Sequence, residues 1–555
     1  MKTLIIGGVA GGASAAARLR RLNEDETIII AERGEYVSFA NCGLPYYIGG
    51  VITDRERLTL QTPQSFKERF NVEVRVRTEA VQILPEAKMA VLKDLATGDI
   101  YNESYDNLIL SPGARPVKPN IEGVEADGVF TLRNIPDTLK IKEFINQRKP
   151  RDGVVVGGGY IGLEMAENLK HAGMNVTVVE LSEHLIPSFD YDMAAGIHRY
   201  IKAQGINLCL NNGLKAIKEG RVILQNGELK ADMVILSAGV RPDTQFLRGA
   251  VPLNERGGII TDSHMRTDIP NIYAVGDAAE IRNFVSGRPA LIPLAGPANR
   301  QGRIAADNIA GIPSEYKGSQ GSAVLKLFDM TAAATGLNER EAAQSGLDYD
   351  KTYIYSAPHA SYYPGGRNMS IKALWDKKTY KLLGAQLVGF DGVDKRADVL
   401  AAAIRLGAKI TDLAGLELCY APPFGSAKDP VNMLGFIAEN VITQRVKQFF
   451  WHDVEKLPRD GSVILLDVRT PLEASRGMIK GFKNIPLDSL RERINELPKG
   501  KRVYVHCHSG LRSYIACRIL AGRGYDCYNL AGGWQLYESA VNERTAPEYI
   551  CTQCR

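Results

Sequence analysis

Two stretches of this chain carry the same strict pattern: an apolar strand, a glycine turn, a helix, and a second apolar strand ending in glutamate. The first runs from Lys2 to Ile6, through Gly7-Gly8-Val9-Ala10-Gly11-Gly12 and an alanine-rich helix, to Thr27–Ala31 and Glu32. The second runs from Val154-Val155-Val156 through Gly157-Gly158-Gly159-Tyr160-Ile161-Gly162 to Asn175–Val179 and Glu180. Glycine at these positions lets backbone pack against backbone, and lets a pyrophosphate approach the N–H groups that open the helix. The acidic strand end accepts hydrogen bonds from a ribose. The first turn departs from the full pattern, because Val9 holds the second glycine position. Two such units in one chain predict an α/β protein with two dinucleotide folds, one nucleotide resident and one passing through. Glu180 would repel a 2′-phosphate, which favours NADH and leaves NADPH as the alternative.

At 555 residues the chain exceeds one core, so three or four domains are expected. A net charge of +5 is too mild to suggest nucleic acid. The N-terminus enters an apolar strand directly, and no apolar run reaches membrane-spanning length. Both point to a cytoplasmic protein with no membrane partner. Eight cysteines over this length are not a disulfide framework, so most are expected as thiols. The terminal Cys551-Thr552-Gln553-Cys554 is a single pair and cannot fill a tetrahedral zinc site, so no metal is expected.

Between and after the two units lie Tyr105 to Ala114, with a tight turn at Ser111-Pro112-Gly113, and Ala231 to Pro242, with Gly239 near its end. Asn271 to Ala278 is a strand ending Gly276-Asp277, which sets a carboxylate against a polyol or phosphate chain. In this order the segments resemble the pyridine nucleotide–disulfide oxidoreductase family, and within it the single-cysteine branch of NADH oxidases, NADH peroxidases and coenzyme A-disulfide reductases. The resemblance implies a split FAD domain (1–112 and 243–318), an NAD(P)H domain (113–242) and an α+β dimerisation domain (319–440). It implies FAD contacts from Gly7, Gly8, Ala10, Gly11, Gly12, Glu32, Arg33, Asn41, Ser111, Pro112, Gly113, Asp277, Leu294 and Ala295. NAD(P)H contacts would come from Gly157, Gly159, Tyr160, Ile161, Gly162, Glu164, Glu180 and Gly239. Tyr160 matches a tyrosine over the flavin face, and Glu164 a carboxylate beside the nicotinamide.

The single cysteine sits in Ser38-Phe39-Ala40-Asn41-Cys42-Gly43-Leu44-Pro45-Tyr46. Dithiol members of the family space their cysteines C-x4-C, but the matching position here is Tyr47. Cys42 must therefore cycle with something outside the chain, as a sulfenic acid, mixed disulfide or persulfide. A thiolate beside an oxidised flavin and near a helix start is expected to have a lowered pKa. Peroxide-reducing relatives carry a histidine where Ala10 stands, which argues against a peroxidase. Coenzyme A-linked relatives hold their ligand at positions matching Ser14, Arg18, Arg21, Ser38 and Asn41, with Lys428 supplied by a second subunit. They also present two tyrosines across a homodimer, matching Tyr362 and Tyr420.

Residues 441–452 read as a helix running into a linker, and 453–545 as a compact α/β module, with 546–555 as a tail. A strand from Lys499 to His506 runs into Cys507-His508-Ser509-Gly510-Leu511-Arg512. A cysteine there sits in a nest of backbone N–H groups that can hold an anionic sulfur adduct. Arg512 lies one position short of the spacing of a tyrosine-phosphatase loop. With Asp467, Arg469, Glu473 and Gly532-Gly533-Trp534, the module resembles a single-domain rhodanese. Cys209, Cys517 and Cys527 fall in apolar patterns and are expected in cores.

A sulfur-carrying cysteine joined to a flavin-linked thiol reductase predicts NAD(P)H-dependent reduction of sulfane sulfur: persulfide, polysulfide or coenzyme A persulfide. The substrates would be small sulfur compounds. The alternatives are a coenzyme A-disulfide reductase that maintains thiol pools, an NADH oxidase, and a redox-sensing scaffold without turnover.

Overall fold

The computed structural model describes residues 1–545. The tail with Cys551 and Cys554 lies outside the described residues. The chain divides into two compact units, one of 1–182 and 205–321 and one of 183–204 and 322–545.

The first unit holds two five-stranded parallel sheets. One is ordered Ile272–Ala274, Asn107–Leu110, Lys2–Ile6, Thr27–Ala31, Glu73–Arg75. The other is ordered Ile206–Cys209, Asn175–Val179, Asp152–Val156, Met233–Leu236, Val129–Thr131. Their central strands are near-continuous apolar runs because both faces are covered, as parallel sheets require. Segment 243–318 returns to the first sheet through Ile272–Ala274, which pairs with Asn107–Leu110. The chain crosses between the sheets twice, at Ala114–Pro116 and Val240–Pro242, and these two crossings pair with each other antiparallel. Each sheet carries a three-stranded antiparallel meander, Thr78–Ser104 and Leu214–Lys230.

Close backbone packing explains the glycine turns. Gly7 and Gly157 have positive φ, +95° and +108°. A Cβ on Gly12 would lie 1.9 Å from the Gly7 carbonyl oxygen, and one on Gly162 would lie 1.9 Å from that of Gly157. Only glycine lets helix and strand meet there.

The second unit contains a five-stranded antiparallel sheet ordered Ala323–Leu327, Met330–Gly336, Leu382–Gly389, Met369–Asp376, Tyr349–Ser356. Helices Val393–Arg405 and Pro430–Ile442 pack on it. A further parallel sheet is ordered Lys447–Phe449, Cys527–Leu530, Val503–His506, Ile464–Asp467, Lys483–Asn484. This corrects the expected linker at 441–452. Lys447–Phe449 is the edge strand of that last sheet, paired with Tyr528–Leu530. The aromatic run explains it: Phe449 and Trp451 are buried, and the Trp451 indole N–H donates to Asp192 at 3.3 Å. Cys209, Cys517 and Cys527 are buried as expected.

Lys372 is fully buried among Asp190, Asp192 and Glu339, with Nζ 2.8 Å from Asp190 and 2.9 Å from Asp192. Burial alone would lower its pKa, but Asp192 and the neighbouring acids outweigh it and hold the ammonium charged. The three carboxylates could otherwise hold a metal ion. Here the ammonium takes the cation position, and Lys351 adds a second positive charge against Glu339 at 2.6 Å. Among the described residues no helix is long and apolar enough to cross a membrane.

Replacing Lys372 with Met should leave buried Asp192 and the half-buried Asp190 and Glu339 without their central cation. The expected loss is roughly 3–5 kcal/mol of unfolding free energy, read by urea denaturation followed by tryptophan fluorescence, because Trp451 touches the cluster. A loss below about 1 kcal/mol would show that the cluster is solvated.

Candidate functional site

In the first unit, three long helices begin without a side-chain cap, at Ala10, Tyr160 and Ala295. Their first N–H groups are open to an anion. The acidic strand ends are braced against their own turns. Glu32 accepts from Gly8 N–H at 2.8 Å and from Gly34 N–H at 2.7 Å. Glu180 accepts from Gly158 N–H at 2.7 Å and from Ser182 N–H at 2.8 Å. At the second sheet, a Cβ on Gly159 or Gly239 would meet nothing within 4 Å, so both positions face open space. Open N–H groups and a fixed carboxylate acceptor suit a dinucleotide in each sheet.

Asp277 follows the strand Ile272–Ala274, where Gly276 N–H donates to Gln301 at 2.7 Å. Its carboxylate accepts from Arg133 at 2.9 Å. Gly113, at φ +71°, leaves room for that guanidinium, since a Cβ there would lie 3.1 Å from Arg133 Nη2. Arg133 and Gln301 were absent from the sequence reading. Neither belongs to a spaced motif, and only the crossing of distant segments brings them to Asp277. Arg33 is tied to Asp243 at 2.7 Å and to Glu79 at 3.7 Å.

Cys42 lies in a single helical turn, Asn41–Gly43, leading into the short helix Leu44–Ile48. Its thiol is exposed and free. The expected lowered pKa is corrected for the chain's own groups. Partial burial raises it, Glu164 and Asp277 raise it further, and Arg133 opposes them. Tyr46, one helical turn on, donates to Glu164 at 3.2 Å. Glu164 is pushed up to about 7, by burial and then by Glu167, against the Tyr46 hydrogen bond. The sequence reading missed Tyr46 as a partner of Glu164, because the two are 118 residues apart.

A groove of about 380 Å³ brings together Ser14, Arg18, Arg21 and Ser38, with Gln61, Phe66, Phe70, Asn299 and Arg303. Ser14 donates to Asn299 at 2.7 Å, and Arg18 is held by Asp307 at 2.6 Å. The neighbouring Arg20 points inward and satisfies backbone carbonyls, including those of Phe70 and Glu26. Alternate faces of one helix therefore separate a structural arginine from the two that line the groove, Arg18 and Arg21. The Asn41 side-chain oxygen is buried without a partner.

In the second unit, the Tyr362 and Tyr420 hydroxyls meet at 3.0 Å, although 58 residues separate them. Buried Arg396 holds their two loops in place. It pairs with Asp429 at 2.7 Å and donates to the Pro358 carbonyl at 2.7 Å. Lys428 is exposed beside this bridge.

Cys507 is fully buried at the end of the strand Val503–His506. Its sulfur accepts from Gly510 N–H at 3.1 Å and from the Ser513 hydroxyl at 3.3 Å. His508 and Leu511 are exposed on the loop, and Ser509 is half-buried. Gly510 has φ +102° and turns the loop into the helix Leu511–Ala521. Arg512 is taken by Glu473 in a two-pronged pair at 2.7 and 2.6 Å, so its guanidinium braces the loop. Below it, Asp467 and Arg469 pair at 2.8 Å. A Cβ on Gly533 would meet the Cys507 carbonyl oxygen at 2.8 Å, which explains the glycine before Trp534.

The Glu164 carboxyl should titrate near neutral pH in the cofactor-free chain. Its folded pKa is raised, so its contribution to stability is complete below about 4.5 and is lost as pH rises through about 7. Carboxyl infrared titration of the parent against Glu164→Gln reads this directly. Tyr46→Phe should move the midpoint upward, because the lost hydrogen bond favours the charged form. A midpoint in the usual carboxylate range would contradict this environment.

Comparison with known proteins agrees with this arrangement. Residues 1–302 match the pyridine nucleotide-disulphide oxidoreductase family, residues 322–430 its dimerisation domain, and residues 451–540 the rhodanese-like domain. A coenzyme A disulfide reductase of Staphylococcus epidermidis is 37% identical over 441 residues, 79% of this chain and 100% of the relative. The crystal structure of reduced Bacillus anthracis CoADR-RHD is 48% identical with a TM-score of 0.96, covering 98% of both chains. An NAD-dependent persulfide reductase from A. fulgidus is 36% identical with a TM-score of 0.91, covering 97% of this chain and 100% of that one. With the family model matching more than half of the chain and relatives of this identity matched over their full length, this protein belongs to the pyridine nucleotide–disulphide oxidoreductase family and carries a rhodanese-like domain.

Proposed function

We propose that the chain is a flavin-dependent NADH reductase of sulfane sulfur, acting through Cys42, with Cys507 carrying sulfur as a persulfide. The observation that carries this reading is the pairing of two different thiols. Cys42 is exposed with Tyr47 in place of a second cysteine, while Cys507 is buried with its sulfur facing an N–H and an O–H donor. The first suits attack on an external sulfur–sulfur bond. The second suits holding a sulfur anion out of water.

FAD would be held by the first glycine turn, Glu32, Ser111–Gly113, Asp277 and the helix start at Leu294-Ala295. NADH would be held by Gly157–Gly162, Glu164, Glu180 and Gly239. Bound FAD supplies the electrons, taken as hydride from NADH, that return Cys42 to its thiolate. Cys42 attacks one sulfur of the substrate; a Cys42–sulfur bond forms, the substrate's sulfur–sulfur bond breaks, and the departing sulfur keeps the electron pair. Glu164, neutral or charged near pH 7, is a proton store one hydrogen bond from Tyr46.

Coenzyme A, as carrier or substrate, would lie in the groove of Ser14, Arg18, Arg21 and Ser38, with Asn41 completing it. Tyr362, Tyr420 and Lys428 would be presented to a second copy in a homodimer. The exposed aromatics Tyr362, Tyr420 and Phe424 form the kind of patch that interfaces use. The free thiols suit a reducing cytoplasm.

A coenzyme A-disulfide reductase is the second reading, favoured by the Staphylococcus relatives. Those relatives cover 79% of this chain, whereas the persulfide reductase and the Bacillus anthracis CoADR-RHD each cover nearly all of it. The added domain favours sulfane sulfur.

NADH oxidation by tetrasulfide and by coenzyme A disulfide should fall at least about 100-fold in Cys42→Ser, at constant flavin content. Unchanged turnover would remove Cys42 from the mechanism. Cys507→Ser should lower turnover of sulfane substrates and leave coenzyme A disulfide untouched; no effect on either would favour the second reading. The efficiency ratio kcat/KM for NADH over NADPH should exceed about 10, since a 2′-phosphate meets Glu180.

A further inference from the structure

We infer that Asn529 is a positioning residue for Cys507: by occupying the Gly510 carbonyl, it commits the one hydroxyl proton of Ser513 to the Cys507 sulfur. Asn529 is no part of the Cys507 loop. It stands on the neighbouring strand Cys527–Leu530, in register with Val505, two residues before Cys507.

Donors and lone pairs can be counted. Ser513 is fully buried, and its hydroxyl has two acceptors within reach: Cys507 Sγ at 3.3 Å and the Gly510 carbonyl oxygen at 3.1 Å. A hydroxyl has one proton and serves one of them. On distance and acceptor strength alone the proton goes to the carbonyl, since sulfur is the weaker acceptor. That carbonyl has two lone pairs, and two other donors fill them. Tyr514 N–H closes the first turn of the helix Leu511–Ala521 on it at 3.0 Å, and Asn529 Nδ2 donates to it at 3.2 Å. A third donor finds no lone pair there, so the Ser513 proton turns to the sulfur. The orientation of the Asn529 amide is independent support. Asn529 is 6% exposed, and its Oδ1 is buried with no hydrogen-bond partner among the described residues. Turning the amide over would set Oδ1 against the Gly510 carbonyl, acceptor facing acceptor. The side chain therefore leaves one polar atom unpaired while Nδ2 holds the loop, which packing alone does not call for.

This deepens the sulfur-carrier reading of Cys507 and rests on it for its physiological meaning. When the thiolate of an acceptor thiol attacks the outer sulfur of a Cys507 persulfide, a new sulfur–sulfur bond forms. The bond between that sulfur and Cys507 breaks, and Sγ takes the electron pair. Gly510 N–H and Ser513 O–H then meet the thiolate that remains. The other charged or titratable groups around Cys507 are Arg512, taken up by Glu473, and the Asp467–Arg469 pair. His506 meets the Cys507 carbonyl through Nδ1 at 3.3 Å, His508 is exposed on the loop, and Cys517 shares the apolar core. Substitutions at Asn529 and Ser513 leave all of these in place.

The test is the pH dependence of Cys507 modification by methyl methanethiosulfonate in the full-length chain, located by peptide mass spectrometry; it needs no sulfane sulfur. Asn529→Leu and Asn529→Ala both remove the donor but pack differently. Each should move the midpoint of the profile upward and slow modification about tenfold on its acid side, as should Ser513→Ala. In the Ser513→Ala background, Asn529→Leu should change the rate by less than about twofold, because its effect runs through that one proton. A merely loosened loop would add a loss of its own. An unmoved midpoint in both Asn529 variants overturns the proposal, as does a double variant much slower than Ser513→Ala, or a Cys507 that reacts at no pH. Loading of Cys507 by sodium tetrasulfide in the parent chain tests the carrier reading separately, so either can fail alone.

Discussion

The structure depends on how closely backbone meets backbone at two glycine turns. In each, a helix begins so near the preceding strand that a single methyl group would strike a carbonyl oxygen at 1.9 Å. That contact aims the uncapped N–H groups of the helix at one point in space. The following strand then delivers a carboxylate whose position is fixed by N–H groups of its own turn. The proposed phosphate and ribose sites therefore rest on backbone placement, with Glu32 and Glu180 as their acidic side chains. The later strand Ile272–Ala274 returns to the first sheet and brings Asp277 to its end.

Around Cys42 the electrostatics run opposite to what a reactive thiol needs. Glu164 and Asp277 both raise its pKa, and the opposing charge, Arg133, is already engaged by Asp277. With partial burial as the largest cause, the chain's own groups therefore favour the protonated thiol. Cys507 follows the other strategy. It is buried, and its stabilising donors are built into the loop and braced by the Glu473–Arg512 pair.

Buried charge also organises the second unit. Lys372 joins the excursion at Asp190 and Asp192 to Glu339, and Trp451 from the start of the last sheet reaches the same Asp192. Arg396 performs a similar role for the two loops that carry Tyr362 and Tyr420. Neither cluster touches the proposed chemistry; each fixes segments that are far apart in the chain. Removing one partner from such a cluster exposes the desolvation cost of the rest, which is why these contacts constrain the fold strongly even where their net stabilisation is modest.

Much of this protein was legible in its residues alone. Both nucleotide folds, the thiol at Cys42 and the Cys507 loop rest on local spacing, and local spacing survives in one dimension; Tyr362 and Tyr420 were named from the family resemblance alone, and only the folded chain brings their hydroxyls to 3.0 Å. The run Phe449-Phe450-Trp451 was misread as part of a linker because a three-residue edge strand has too short a period to announce itself. Arg133, Gln301, and Tyr46 as the partner of Glu164 were decided only by tertiary structure. Their roles come from neighbours that are far away in the chain, and from burial, which no spacing encodes. The pKa of Cys42 belongs to the same class: its local motif suggests a reactive thiolate, and only the folded arrangement reveals two carboxylates holding it back.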